Sequence, residues 1–135
     1  MRTLHPPSGG ARPADTVSLG DESTLFLAPL AHETARRHLE EFPEERERYG
    51  AAGFEWCAHD MQYVLWWAAL DAEGAAGLLL GKVQWLAGIL RARDYPVERL
   101  ARSLELAAEA VEQARPRGAE QITAVLRETA AAVAH

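Results

Sequence analysis

Residues 54–67 read FEWCAHDMQYVLWW, and this stretch decides the fold class. At about 100° per residue, its apolar and aromatic side chains recur on most sides of a helix, with no period-two alternation. A helix that is apolar on most sides is packed between other helices, or lines a ligand pocket as well as a core. The stretch therefore predicts a central helix in an all-α fold.

Three lanes of side chains run along this predicted helix, because residues three or four positions apart are neighbours on a helix surface. The first lane contains Cys57, Asp60, Val64 and Trp67. The neighbouring lane contains His59, Tyr63, Trp66 and Leu70. The third lane is purely apolar and is expected to face the core; it contains Phe54, Met61, Leu65 and Ala68. A thiol and a carboxylate thus lie one turn apart among aromatic side chains.

Apolar residues at helical spacing extend the pattern to the rest of the chain. Together with a short charged segment between Pro43 and Gly50, they predict about six helices, over residues 28–41, 44–49, 53–71, 75–92, 96–114 and 119–134. No segment favours a β-strand. Residues 1–20 are rich in Pro, Gly, Ser and Arg and are expected to form a flexible arm ahead of a helical domain of residues 21–135.

Composition and charge narrow the function classes. The 135 residues suit one domain, and 48% hydrophobic with 25% charged residues is an ordinary globular composition. The formal charge of −6 disfavours a nucleic-acid-binding surface. The single cysteine, Cys57, excludes a disulfide framework and a zinc site of several thiolates. No secretory signal or membrane span is evident in the sequence, so we expect a soluble, cytoplasmic protein.

The titratable residues of the central stretch suggest no catalytic or metal site. Glu55 and His59 have the spacing of a metal-binding pair, but no second pair completes such a site. Cys57 and His59 point in different directions on a helix and form no dyad, so we expect no enzyme activity. A buried Asp60 needs a partner, which could be His59, an arginine of another helix or a neighbouring amide. Cys57 could equally be a small core residue.

The residues at 57–63, Cys-Ala-His-Asp-Met-Gln-Tyr, resemble the Cys-x-Arg-Asp-x-x-Tyr signature of phycobiliprotein subunits such as allophycocyanin. The order of elements is also similar, because a break at 71–74 and a turn at 94–97 occupy the corresponding places. The resemblance covers roughly residues 44–111. It extends to globin-like sensor domains, among which the bacterial bilin-binding globins look closest in length. It implies a globin-like fold that binds a linear tetrapyrrole.

The resemblance implies a role for each matched residue. Cys57 would bond the A-ring vinyl or ethylidene group of the tetrapyrrole, and Asp60 would accept hydrogen bonds from its central pyrrole N–H groups. His59 stands where the family has an arginine and would pair with a propionate. Tyr63 would lie against the chromophore. The remaining candidate binding residues are Trp56 and Trp67 on the same helix, with Lys82, Trp85 and Leu86 on the facing helix.

Two of these remaining residues have specific expected roles. Trp67 would stack on the chromophore, as aromatic side chains do on flat conjugated systems. Lys82, the only lysine of the chain, lies beside Trp85 and Leu86 on the facing helix, where its cation would meet a propionate. The alternative for Lys82 is that its aliphatic stem lies along apolar surface while the ammonium group reaches water.

The amino-acid composition narrows the choice of tetrapyrrole. The arginine-rich, alanine-rich sequence is typical of a high-GC bacterial genome, so biliverdin is the expected bilin and phycocyanobilin the alternative. Haem is the competing tetrapyrrole, but the helix predicted at 75–92 has no histidine to serve as a proximal ligand.

The resulting hypothesis is a bilin-binding photoreceptor or chromophore carrier. It would form a homodimer through its outer amphipathic helices and pass a signal to a downstream protein. A ligand-free signalling globin of the stressosome type is the alternative. That alternative predicts a fully packed interior around Trp56, Trp67 and Trp85.

Overall fold

A computed structural model describes residues 12–20 and 22–134. The described residues form six helices: α1 (Leu27–Glu41), α2 (Pro43–Tyr49), α3 (Ala51–Ala72), α4 (Leu78–Ala92), α5 (Val97–Ala114) and α6 (Glu120–Val133). The all-α fold predicted from the sequence is confirmed. The globin-like topology stays a prediction. Residues 1–11 of the predicted flexible arm lie outside the described part of the chain, and the division into arm and domain stays a prediction.

The helix boundaries follow from local chemistry. Pro43 occupies the first turn of α2, where its missing N–H costs no hydrogen bond. Gly50 separates α2 from α3 with φ of 66°, a conformation that favours glycine. Gly77, with φ of 86°, precedes α4. These breaks set the angles between successive helices, and the α2–α3 break is important for the site described below.

Two short strands precede the helices, so the expectation that the chain has no strand is wrong. Strands β1 (Thr16–Ser18) and β2 (Thr24–Phe26) pair antiparallel, with Val17 opposite Leu25. Leu19 and Leu25 are buried in the core cluster. Three residues are too few to show the alternation by which a strand is recognised in a sequence. This hairpin lies partly in the region expected to be a flexible arm.

Helix α3 is central, as its apolar pattern predicts. It contacts every other helix of the described chain. Its buried residues include Met61, Val64, Leu65 and Ala68, which pack with apolar side chains from α4, α5 and α6. Within the described residues, no helix combines the length and the apolar character that crossing a membrane requires. Helix α3, which contains the central stretch of the sequence, therefore packs against other helices on several sides.

Candidate functional site

A cavity of about 460 Å³ lies among α1, α2, α3, α4, α5 and the α4–α5 turn. This volume falls in the range of small-molecule sites, roughly 300–1,000 Å³. Its apolar lining comes mainly from Met61, Leu86, Leu90 and Leu100. Side chains with polar or charged groups complete the wall. An apolar cavity with a few convergent polar groups is the usual form of a ligand-binding site.

Four of the residues predicted for the binding site line this cavity: Trp56, Cys57, Asp60 and Leu86. Cys57 and Asp60 are both half-buried and lie one helical turn apart on α3. Leu86 approaches from α4 and is buried. The one-turn spacing read from the sequence therefore brings the thiol and the carboxylate to one cavity wall.

The other five predicted residues are not among those that line the cavity: His59, Tyr63, Trp67, Lys82 and Trp85. His59 is exposed and packs edge-on against Tyr63, with ring centroids 5.3 Å apart. Tyr63 and Trp67 are buried. The Lys82 ammonium lies 5.5 Å from the centre of the Trp67 ring, a cation–π contact. Trp85 is 41% exposed on α4.

The Cys57 thiol is expected to react slowly at neutral pH. Burial raises its pKa above the ordinary value, and the negative charges of Asp60 and Glu45 raise it further. The thiol is therefore protonated at neutral pH, whereas reactive cysteines lie in electropositive surroundings that favour the thiolate.

A buried polar network that the sequence analysis missed forms another part of the cavity wall. The Glu45 carboxylate accepts hydrogen bonds from His38 Nε2 at 2.9 Å, Tyr95 Oη at 2.8 Å and Arg99 Nη1 at 2.9 Å. His38 Nδ1 lies 3.0 Å from the Ser103 hydroxyl, which also lies 3.0 Å from the Arg99 carbonyl. These residues come from α1, α2, the α4–α5 turn and α5. The network thus joins four separate parts of the chain around one carboxylate.

The charge state of the network follows from its contacts. Burial would raise the pKa of Glu45, but the hydrogen bond and charge of His38, with the hydrogen bonds from Arg99 and Tyr95, outweigh burial and lower it. Burial and the neighbouring Glu45 charge raise the pKa of Tyr95. At neutral pH, Glu45 is therefore ionised and the Tyr95 hydroxyl keeps its proton, as the donor role requires.

One signal in the sequence points to this network. His38 follows Leu27, Leu30, Ala31 and Thr34 along the apolar stripe of α1, so it is expected to be buried and to need polar partners. Its partner Glu45 gave no such signal, because it stands among similar charged residues in α2. Tyr95 and Ser103 are 57 and 65 positions from His38 and meet it only through the fold.

Aromatic and cationic groups complete the cavity wall. Tyr49 and Trp56 meet edge to face, with ring centroids 6.1 Å apart. Arg48 on α2 and Arg93 after α4 also line the cavity, and both are exposed, so they mark the side on which it meets solvent. Such a wall suits a flat, conjugated molecule that carries both N–H donors and carboxylates.

A second depression, of about 610 Å³, adjoins the α4–α5 turn and Ala134. It is larger, but its lining residues are exposed or half-buried, including Arg91, Asp94 and Glu98. Since binding sites bury most of their ligand, the smaller cavity beside α3 is the better candidate.

No group of three or more His, Cys, Asp or Glu side chains placed to hold a metal ion occurs within residues 12–20 and 22–134.

Comparisons of the chain with protein-family models, with characterised proteins and with solved structures gave no match. The chemistry of the cavity is therefore the basis for a functional assignment.

Proposed function

We propose that the cavity beside α3 binds a linear tetrapyrrole, with biliverdin the expected bilin, and that the protein is a globin-like photoreceptor or chromophore carrier. One observation carries the proposal. Cys57 and Asp60, two of the four signature residues that the resemblance places against the chromophore, line one cavity together with the Trp56 ring. A bound bilin would supply strong absorption of red light.

The residues present fit such a ligand. Asp60 offers a carboxylate to pyrrole N–H groups, and hydrogen bonds to a charged acceptor are the stronger kind. Trp56 and Tyr49 offer ring faces and edges to a conjugated system. Met61, Leu86 and Leu90 supply apolar surface that excludes water.

The propionate contacts differ from those that the resemblance implies. His59 and Lys82 do not line the cavity, whereas Arg48 and Arg93 do. Arginine binds carboxylates in bidentate geometry, so these two residues are the better partners for two propionates. The proposal therefore assigns the carboxylate end of the ligand to the solvent side of the cavity.

Haem is less well supported than a bilin. The described residues include three histidines, His32, His38 and His59. Both ring nitrogens of His38 are engaged, one with Glu45 and one with Ser103. His32 and His59 are exposed, and neither lines the cavity. Among the described residues, no histidine both lines the cavity and has a ring nitrogen available to bind a haem iron.

The ligand-free signalling module is the second candidate. It calls for close packing around three tryptophans, and Trp67 is indeed buried with 3% exposure. Trp56, however, adjoins the cavity, and Trp85 is largely exposed. The cavity therefore favours ligand binding over the packed alternative.

The decisive experiment mixes the purified protein with biliverdin and records its absorption spectrum. A sharpened red or far-red band is expected, and Asp60→Asn should weaken it because the neutral amide is a poorer acceptor. Glu55→Gln is the matched control, because Glu55 is exposed on the same helix and does not line the cavity. No spectral change with biliverdin or with phycocyanobilin would overturn the proposal, and so would equal binding by the Asp60 and Glu55 variants.

A further inference from the structure

Helix α2 is a short element between two breaks of one residue each. It contains seven residues, Pro43–Tyr49. Phe42, with φ of −123° and ψ of 68°, separates it from α1, and Gly50 separates it from α3. Both separating residues have non-helical dihedrals. Such positions can absorb the dihedral changes of a hinge while the flanking helices stay intact.

The attachment of α2 to the rest of the molecule is mostly polar. Of its seven residues, all within the described part of the chain, only Glu45 is buried. Arg99 reaches α2 twice, through Glu45 and through Glu44. Apolar packing is supplied mainly by half-buried Tyr49, next to Gly53 of α3. The hydrogen bonds between the Glu45 carboxylate and its three donors are therefore the main attachment of α2 to the rest of the molecule.

The same helix forms part of the cavity wall. Glu45, Arg48 and Tyr49 of α2 all line the cavity, as does Cys57 of α3. Movement of α2 away from α5 would carry these three side chains with it and widen the opening to solvent.

We infer that α2 is a gate over the cavity, latched shut by the contacts of Glu45 with His38, Tyr95 and Arg99. The inference does not depend on which ligand the cavity takes. Opening returns a carboxylate, an imidazole and a guanidinium to water, which recovers their hydration. It exposes little apolar surface, because α2 buries little. Local opening of such a segment requires far less free energy than global unfolding.

The Cys57 thiol gives a direct test, because it is the only cysteine of the chain and lines the gated cavity. The rate of alkylation would be measured with two maleimides, the small N-ethylmaleimide and the bulky N-(1-pyrenyl)maleimide. Removing the Glu45 charge also changes the thiolate fraction, but that change affects both reagents equally. The ratio of the bulky rate to the small rate therefore reports on opening alone.

The variants are Glu45→Gln, which keeps the shape of the side chain, and Glu47→Gln, an exposed control on the same helix. Relative to Glu47→Gln, we expect Glu45→Gln to raise the rate ratio about tenfold, which corresponds to about 1.4 kcal/mol of lost latch free energy. Hydrogen exchange should accelerate by a larger factor over residues 43–53 than in α5 and α6, where it reports only the loss of global stability.

Two results would overturn the gate. One is an unchanged rate ratio in Glu45→Gln. The other is acceleration by the same factor over residues 43–53 and in α5 and α6, which would make Glu45 a contributor to global stability only. If Glu45→Gln does not fold, Tyr95→Phe removes a single donor of the latch and is measured in the same way. Since no bilin is used, these outcomes are independent of the proposed function.

Discussion

His38 Nε2 on α1 lies 2.9 Å from the Glu45 carboxylate on α2, and both side chains are almost fully withdrawn from water. A buried pair of this kind is costly to break from one side, since the remaining charged or polar group stays buried without its partner.

Replacement of His38 should therefore destabilise the fold. We expect His38→Gln to lower the free energy of unfolding by about 1–3 kcal/mol, because Glu45 loses one donor but keeps those of Tyr95 and Arg99. His32→Gln on the same helix is the control, because His32 is exposed, and its effect should stay within about 0.5 kcal/mol. Urea unfolding followed by circular dichroism measures both. Equal effects of the two substitutions would show that the pair contributes nothing.

The dependence of stability on pH should also trace to Glu45. Its pKa is lowered from the ordinary value of 4.5 in the folded protein, because its donors outweigh burial. A depressed pKa contributes stability that is present above 4.5 and is lost as pH falls through the folded value. The difference in unfolding free energy between wild type and Glu45→Gln should therefore be largest near neutral pH and shrink below pH 4.5. A difference that grows on acidification would contradict this assignment.

Three glycines in helices should respond differently to alanine. A Cβ at Gly81 or Gly88 of α4 would meet no atom within 4 Å, so alanine there should stabilise by about 0.5–1 kcal/mol through helix propensity. A Cβ at Gly53 would stand 3.0 Å from the Cβ of Tyr49. We expect Gly53→Ala to give no net gain, because Tyr49 must move. Thermal unfolding of the three variants tests this, and a gain at Gly53 equal to the others would be the contrary result.

Alkylation of Cys57 should become fast only at high pH. Burial first, and then the Asp60 charge, raise the pKa of the thiol, so alkylation by iodoacetamide should be slow at neutral pH. Asp60→Asn should move the rate–pH profile toward lower pH. Glu55→Gln, on the exposed side of the same helix, should leave it in place. Coincident profiles for wild type and Asp60→Asn would exclude an electrostatic contact between Asp60 and the thiol.

Local patterns in the sequence were sufficient to predict the helices. Apolar periodicity located five of the six, and the short, charged α2 was located by Pro43 and Gly50, residue types that favour the ends of helices. The helical spacing of Cys57 and Asp60 also predicted their shared position on the cavity wall. Both inferences needed only the geometry of a single helix.

Contacts between distant parts of the chain could not be predicted in this way. Glu45 differs from Glu44 and Glu47 only in lying on the side of α2 that packs against the rest of the molecule. Tyr95 lies in a turn, where no periodicity indicates burial. Lys82 was predicted to meet a ligand propionate from its place on the facing helix, and no pattern in the sequence indicated that its ammonium group lies against the Trp67 ring. Side-chain direction relative to other elements is a property of the assembled fold.

The hairpin of β1 and β2 has a consequence for the helices that follow it. The Gln62 amide on α3 donates to the Ala14 carbonyl at 3.0 Å, and Arg115 after α5 donates to the Thr24 carbonyl at 2.8 Å. Leu19 and Leu25 lie against the core. A chain that began at α1 would lose both acceptors and open this side of the core to water. The hairpin therefore acts as a clasp that covers one side of the helical core.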